Sequence, residues 1–233
     1  MIESKNVIKT IGEKIILRNI NIQIDKGQTV AILGPNGVGK STWLKIAAGL
    51  MQPTEGQILI NGDVLKKDQF EQREMLGYLG HQSFLYDHLT PIENLKFFAK
   101  LYHIKNANDR IEALLKEVGL SFFKNEPVQS FSRGMVQRLA IARSILHNPQ
   151  ILLLDEPHTG LDQQAVEILN KVILRLKKAN VTVVMVTHDF SQVINTCDRV
   201  IILMKGRVGS DINLNGRDVE WLHNHYERQS MSK

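Results

Sequence analysis

The 233 residues, 43% hydrophobic and 23% charged, suffice for one large domain with a buried core, and that apolar share excludes a disordered chain. The formal charge of +5 is scattered, with Lys66–Lys67 a short basic run, so it describes a solvated face and argues against a nucleic acid partner. Cys197 is the single cysteine, which excludes an internal disulfide and a thiolate metal cluster.

The N-terminal stretch MIESKNVIKTIGEK lacks the apolar core of a secretory signal. The longest apolar stretches, such as VTVVMV, fall far short of the ~20 residues that a spanning helix needs. A membrane role is therefore expected to be peripheral, without direct insertion. KIILRNINIQID, TVAILG and GQILING read as strands, punctuated by Gly27 and Gly56. Within the first, INIQI alternates as a half-buried antiparallel strand does. Helices are expected over roughly 40–49, 132–146 and 165–179. ILLLDE, VTVVMVTH and RVIILM are short, apolar and β-branched, the mark of parallel strands covered on both faces. Strand and helix thus alternate around a buried parallel sheet, an α/β fold. From Pro91 to Leu120 the pattern is helical with no intervening strand, which predicts a helical insertion in the α/β core. The last fifteen or so residues are polar and read as a loose helix or tail.

Two stretches carry chemistry. Gly34-Pro35-Asn36-Gly37-Val38-Gly39-Lys40-Ser41, followed by Thr42, fits G-x4-G-K-[ST] between an apolar strand and a helical run. Glycines let backbone N–H groups close around phosphates, and the helix N-terminus adds partial positive charge. Lys40 suits the β- and γ-phosphates and Ser41 a magnesium ion. ILLLDEP places Asp155 and Glu156 at a strand's carboxyl end, where open α/β sheets bind ligands. Asp155 suits Mg2+, and Glu156 suits the orientation of an attacking water.

FSRGMVQRLAIARSILHNPQILLLDEPHTGLD, residues 131–162, resembles the signature-to-carboxylate block of ABC (ATP-binding cassette) ATPases. The resemblance implies a P-loop NTPase core with an antiparallel β subdomain and an inserted α-helical subdomain of about 83–145. It places one ABC ATPase domain over 1–215 and a polar tail over 216–233. It also implies ATP and Mg2+ as cofactors and a homodimer closed on ATP, in which Ser132 and Gly134 of one copy complete the other copy's site. Arg133 and Met135 depart from the usual LSGGQ; Arg133 adds a positive charge there or is ordinary variation at a helix start. Asp162, in Thr159-Gly160-Leu161-Asp162, would help join the two sites. His188, at the end of VTVVMVTH, takes the place of the γ-phosphate histidine, and His158 is a weaker candidate.

GYLGHQSFLYDHLT resembles the loop that contributes a glutamine to the magnesium and water. Gln82 is assigned that role through a one-residue shortening of the loop, although counting back from Leu89–Thr90 reaches His81. The stretch KTIGEK offers Ile11 where the family usually stacks an aromatic ring on adenine, so tolerance of GTP is expected.

In transporters of the family the helical subdomain receives the membrane-spanning subunits, and the cluster Phe84, Leu85, Tyr86, Phe97, Phe98 and Tyr102 fits such a groove. A site at the cytoplasmic face of a bacterial inner membrane follows. YLGHQ, LTPIENLKFF and SRGMVQR together resemble the ATP-binding subunit of the haem exporter for cytochrome c maturation. A soluble ABC ATPase acting on ribosomes or DNA, another exporter moving drugs or lipids, and a non-catalytic cassette are the alternatives.

Overall fold

A computed structural model of the chain describes residues 2–66 and 70–231. Lys67 of the basic run and the last two residues of the polar tail lie outside them. In chain order the elements are β1 (Ile2–Ile11), β2 (Lys14–Ile24), β3 (Thr29–Leu33), α1 (Lys40–Ala47), β4 (Glu55–Ile60), β5 (Asp63–Val64), α2 (Phe70–Glu74), β6 (Leu76–Leu79), α3 (Pro91–Leu101), α4 (Ala107–Glu117), α5 (Arg133–Ile145), β7 (Ile151–Asp155), α6 (Gln163–Lys178), β8 (Thr182–Val186), α7 (Phe190–Thr196), β9 (Arg199–Met204), β10 (Arg207–Asn213) and α8 (Val219–Met231).

Two sheets follow from two hydrophobic patterns. In β2, Ile20, Ile22 and Ile24 are buried while Asn19, Asn21 and Gln23 are exposed, as the alternation requires. This strand lies in an antiparallel sheet of order β2-β1-β4-β5. The sequence reading has no strand at β1, because its alternation is broken. Asn6 sits at φ 51° and the pairing with β2 shifts register at three places.

The second sheet has the order β10-β9-β3-β8-β7-β6. Its strands β9, β3, β8, β7 and β6 pair in parallel, and β10 adds antiparallel at the edge. Both faces are covered. Val30, Ile32, Leu153, Val184 and Ile201 pack with Trp43 and Leu44 of α1. Ala31, Leu33, Leu154, Met185 and Ile202 pack with Leu139, Leu169 and Ile173 of the helices opposite. Continuous apolar strands, with α1 and the antiparallel sheet over one face and helices over the other, give the α/β nucleotide-binding architecture expected from the sequence.

Caps end most of the helices where the sequence changes character. Thr90 and Glu93 form a capping box before Pro91 at the start of α3. Asp162 accepts from Ala165 N at 2.8 Å and starts α6, whose Ala165, Leu169, Val172, Ile173 and Leu176 form one buried stripe. The side chain of Asn94 is fully buried in α3. It donates to the carbonyls of Tyr86, Leu89 and Thr90 and accepts from Tyr86 N, fixing the segment before α3. The polar C-terminal stretch is a docked helix: Leu222 is buried, and the Tyr226 ring meets Phe190 edge-on at 5.3 Å.

His147, just past α5, ties the helical insertion to the sheet. Its ring stacks on Tyr102 at 4.0 Å, and Nε2 donates to the Leu76 carbonyl at 3.1 Å. Burial pushes its pKa down to about 4. The folded state therefore keeps the ring neutral while the unfolded chain takes up a proton below its usual value of about 6.5. The unfolded state binds more protons in this window, so stability falls as pH drops from about 6.5 to about 4. The expected loss reaches up to about 3 kcal/mol. Urea midpoints measured across that window should fall in the parent and flatten in His147→Gln. Capping makes a second prediction. Asp162→Ala should lower stability by about 1 kcal/mol and Asp162→Asn by clearly less, read as urea midpoints at neutral pH.

Candidate functional site

Three strand ends and one helix start build the site. β3 stops at Leu33 and the chain enters residues 34–39 before α1. Gly34 (φ 150°) and Gly39 (φ 110°) adopt conformations that a side chain resists. A Cβ at Gly34 would clash with the Leu203 carbonyl, and one at Gly39 with the Leu17 side chain, so the loop closes down only with glycine there. Val38 is buried beneath the loop.

Lys40 opens α1 and turns back over the loop. Its Nζ donates to the carbonyls of Gly34 (2.7 Å) and Pro35 (3.1 Å). Burial lowers its pKa, and the nearby Glu156 and Asp155 carboxylates oppose that shift. Ser41 donates from Oγ to Asp155 Oδ1 at 2.9 Å, which joins the helix start to the end of β7. The Asp155 side chain is buried, and its Oδ2 has no hydrogen-bond partner. His81 Nε2 lies 3.8 Å from that oxygen. A hydroxyl beside a buried, half-satisfied carboxylate is a fitting hard-oxygen set for Mg2+.

Glu156 follows directly at φ 51°, a left-handed conformation uncommon for a residue with a side chain. Its backbone N–H is anchored on the Val186 carbonyl at 2.8 Å. The turn aims its carboxylate at the end of β8, where Oε2 accepts from His188 Nδ1 at 2.9 Å. A proton on Nδ1 leaves Nε2 for a second partner.

These groups share one cavity of about 830 Å³. Lys40, Ser41, Glu156 and His188 line it together with the loop and Thr42. His81 also lines it, at the Asp155 end. Lys14 and Ile16 of β2 form another part of its wall, and Tyr226 of α8 a third. Sequence reasoning missed these last three residues. A capped stretch after Asp218, whose side chain accepts from Trp221 N at 2.7 Å, was the available signal for α8. Ile11, the residue at the expected adenine-stacking position, is exposed and is not among the residues lining the cavity.

Gln82 and His81 stand differently toward this cavity. Gln82 is exposed and lines neither this cavity nor the neighbouring one of about 170 Å³, whereas His81 lines both. The segment leaves β6 at Leu79, and His81 Nε2 stands 3.8 Å from Asp155 Oδ2.

Ser132, Gly134 and Asp162 do not line the large cavity of their own chain. Ser132 Oγ accepts from Met135 N at 3.3 Å and starts α5, and Asp162 starts α6. The Arg133 guanidinium packs against Gly160. His158 is buried with Nε2 3.0 Å from Asn170 Oδ1, and burial lowers its pKa. It stands outside the large cavity, as a link between helices: Asn170 Nδ2 donates to Gln192 Oε1 at 2.7 Å.

Arg143 connects the two halves of the molecule. From α5 it donates to the carbonyls of Ser83 (3.1 Å) and Tyr78 (2.9 Å), on either side of His81. Its guanidinium also lies over the rings of Phe84 (5.6 Å) and Phe98 (5.3 Å).

Comparison with known proteins agrees with this site. Residues 17–159 match the family described as ABC transporter. The chain is 38% identical over 209 residues to the ABC transporter ATP-binding protein NatA of Bacillus subtilis, covering 88% of this chain and 82% of NatA. It is 34% identical over 210 residues to the lantibiotic transport ATP-binding protein SrtF of Streptococcus pyogenes, with 89% of each chain covered. Among solved structures, an ATP-binding subunit of an ABC transporter aligns with a TM-score of 0.89 at 29% identity, covering 97% of this chain and 99% of that one. The ATP-binding cassette MJ0796, captured as a dimer in a post-hydrolysis state with ADP and Pi, aligns at 0.84 with 33% identity, covering 93% and 100%. The phosphate loop, the carboxylate pair and the strand-end histidine thus stand on a chain that belongs to the ABC transporter family, as an ATP-hydrolysing ATP-binding subunit.

Proposed function

We propose that this chain powers an exporter whose membrane-spanning subunits are separate polypeptides, working as a homodimer at the cytoplasmic face of a bacterial inner membrane. The observation that carries the reading is the convergence of Lys40, Ser41, Glu156 and His188 on one cavity beside Asp155. The backbone N–H groups of residues 34–42 and the Lys40 ammonium would hold the triphosphate tail. Bound Mg2+, on Ser41 and Asp155, would neutralise charge between the β- and γ-phosphates. Glu156 would orient and polarise the attacking water, and His188, bonded to it, would steady the γ-phosphate end.

Ser132 and Gly134 stand at the start of α5, away from their own chain's cavity. That placement supports their acting on a second copy's nucleotide, with Asp162 near the seam, as does the dimeric MJ0796 relative. A single catalytic domain over 1–215, with the helical part of about 83–145 inserted and 216–233 as a C-terminal appendage, is the division we propose. No helix among the described residues is long and apolar enough to cross a membrane, which suits separate spanning subunits. Phe84, Tyr86, Phe97 and Leu101 are exposed on the helical part, where such a subunit would dock.

Two cargo readings stand. Haem export is carried by YLGHQ, LTPIENLKFF and SRGMVQR. Export of an antibiotic or other drug is supported by relatives described as lantibiotic transport and linearmycin resistance proteins. A deletion strain separates them: haem export predicts loss of holo-cytochrome c, and drug export predicts sensitisation to antibiotics with cytochromes intact.

The hydrolytic reading makes its own prediction. Lys40→Ala should weaken ATP binding by at least about tenfold. Glu156→Gln should keep binding, cut turnover by about a hundredfold or more, and double the mass in light scattering when ATP is added. Unchanged turnover in Glu156→Gln would remove Glu156 from the mechanism.

A further inference from the structure

We infer that His81 is a direct nitrogen ligand of the divalent metal that accompanies the nucleotide, so that this cassette binds that metal through an imidazole as well as through oxygen. The inference rests on the ATP-hydrolysing reading above and concerns its metal.

The backbone sets the position. β6 and β7 pair in parallel with Leu79 level with Leu154, so the chain leaving β6 at Gly80 and His81 runs beside the end of β7 at Asp155. Arg143 holds this segment from both sides, on the carbonyls of Tyr78 and Ser83. His81 Nε2 then lies 3.8 Å from Asp155 Oδ2. That oxygen is buried and lacks any hydrogen-bond donor, while its sister Oδ1 is satisfied by Ser41. A buried carboxylate oxygen without a donor is a place for a cation or a water. The Ser41 hydroxyl and the His81 imidazole stand beside this carboxylate, and Lys40 and Tyr78 are near enough to feel its charge. The His81 side chain is 68% exposed, so its ring can adjust without disturbing the core. Gln82, the alternative oxygen donor on this segment, lines neither cavity.

The chemistry gives the consequence. Amide oxygen and carboxylate suit Mg2+, whereas imidazole raises affinity along the order from Mn2+ to Co2+. The wild-type site should therefore favour Co2+ over Mg2+ more strongly than a variant with an amide at position 81.

Pulsed electron paramagnetic resonance of Mn2+–ATP bound to the Glu156→Gln protein tests the ligand directly. Nitrogen-14 modulation from a coordinated imidazole is expected in that parent. It should vanish in a parent also carrying His81→Gln and persist in one carrying His188→Gln. In parallel, His81→Gln should weaken Co2+–ATP binding by roughly tenfold and Mg2+–ATP binding by less. Absence of modulation in the parent, its survival in His81→Gln, or equal weakening for both metals would overturn the assignment. Lys40→Ala separates this from the underlying reading. If Lys40→Ala binds Mn2+–ATP as well as the parent does, the nucleotide site itself is wrong. If binding needs Lys40 yet no nitrogen modulation appears, only the role of His81 falls.

Discussion

A parallel sheet buried on both faces leaves polar chemistry only its ends. Residues 30–33, 151–154 and 183–186 of β3, β7 and β8 each face one of the two apolar cores, so an acid among them would be desolvated without a partner. Asp155 and Glu156 sit where the sheet stops, and the glycine loop begins where β3 stops. The single hydrogen bond from Ser41 to Asp155 joins those two edges. It places a helix N-terminus, a lysine and two carboxylates around one volume without loading charge into the core.

The same edge is connected outward. Arg143 binds two carbonyls of the segment between β6 and α3 while sitting in the helix that Ser132 begins. Its acceptors are backbone oxygens and aromatic faces, which hold a planar guanidinium in one orientation. A displacement of residues 78–84 is therefore felt directly along α5. On the other side, His158, Asn170 and Gln192 run from the turn after Glu156 through α6 to α7, the helix that begins two residues after His188. Both connections use neutral or backbone acceptors, so they transmit position more than charge.

The fold was legible where the sequence pattern was pure. The apolar strands ILLLD and TVVMV and the glycine loop could be placed because burial on both faces and phosphate geometry leave few other sequences possible. β1 was hidden because a bulge at Asn6 breaks its alternation. α8 reads from sequence as a loose helix or tail because its buried share is small, with Leu222 its main anchor. In the site, motif spacing located Lys40, Ser41, Asp155, Glu156 and His188. The segment after β6 is less legible, since one residue of register decides between His81 and Gln82 and motif spacing alone does not choose. Lys14, Ile16 and Tyr226 come from elements far apart in sequence, and no local pattern links them.

The resting position of Lys40 bears on selectivity. Its ammonium already has two carbonyl acceptors inside its own loop. Any incoming anion must displace bonds that are already made, so attraction by a bare positive charge is muted. Inorganic phosphate or a carboxylate meets only part of the loop and offers little in exchange. A polyphosphate long enough to span from the glycines to His188 would offer replacement contacts along its whole length. Selectivity for a long anion would then rest on the number of contacts it can make along the cavity, more than on the lysine charge alone.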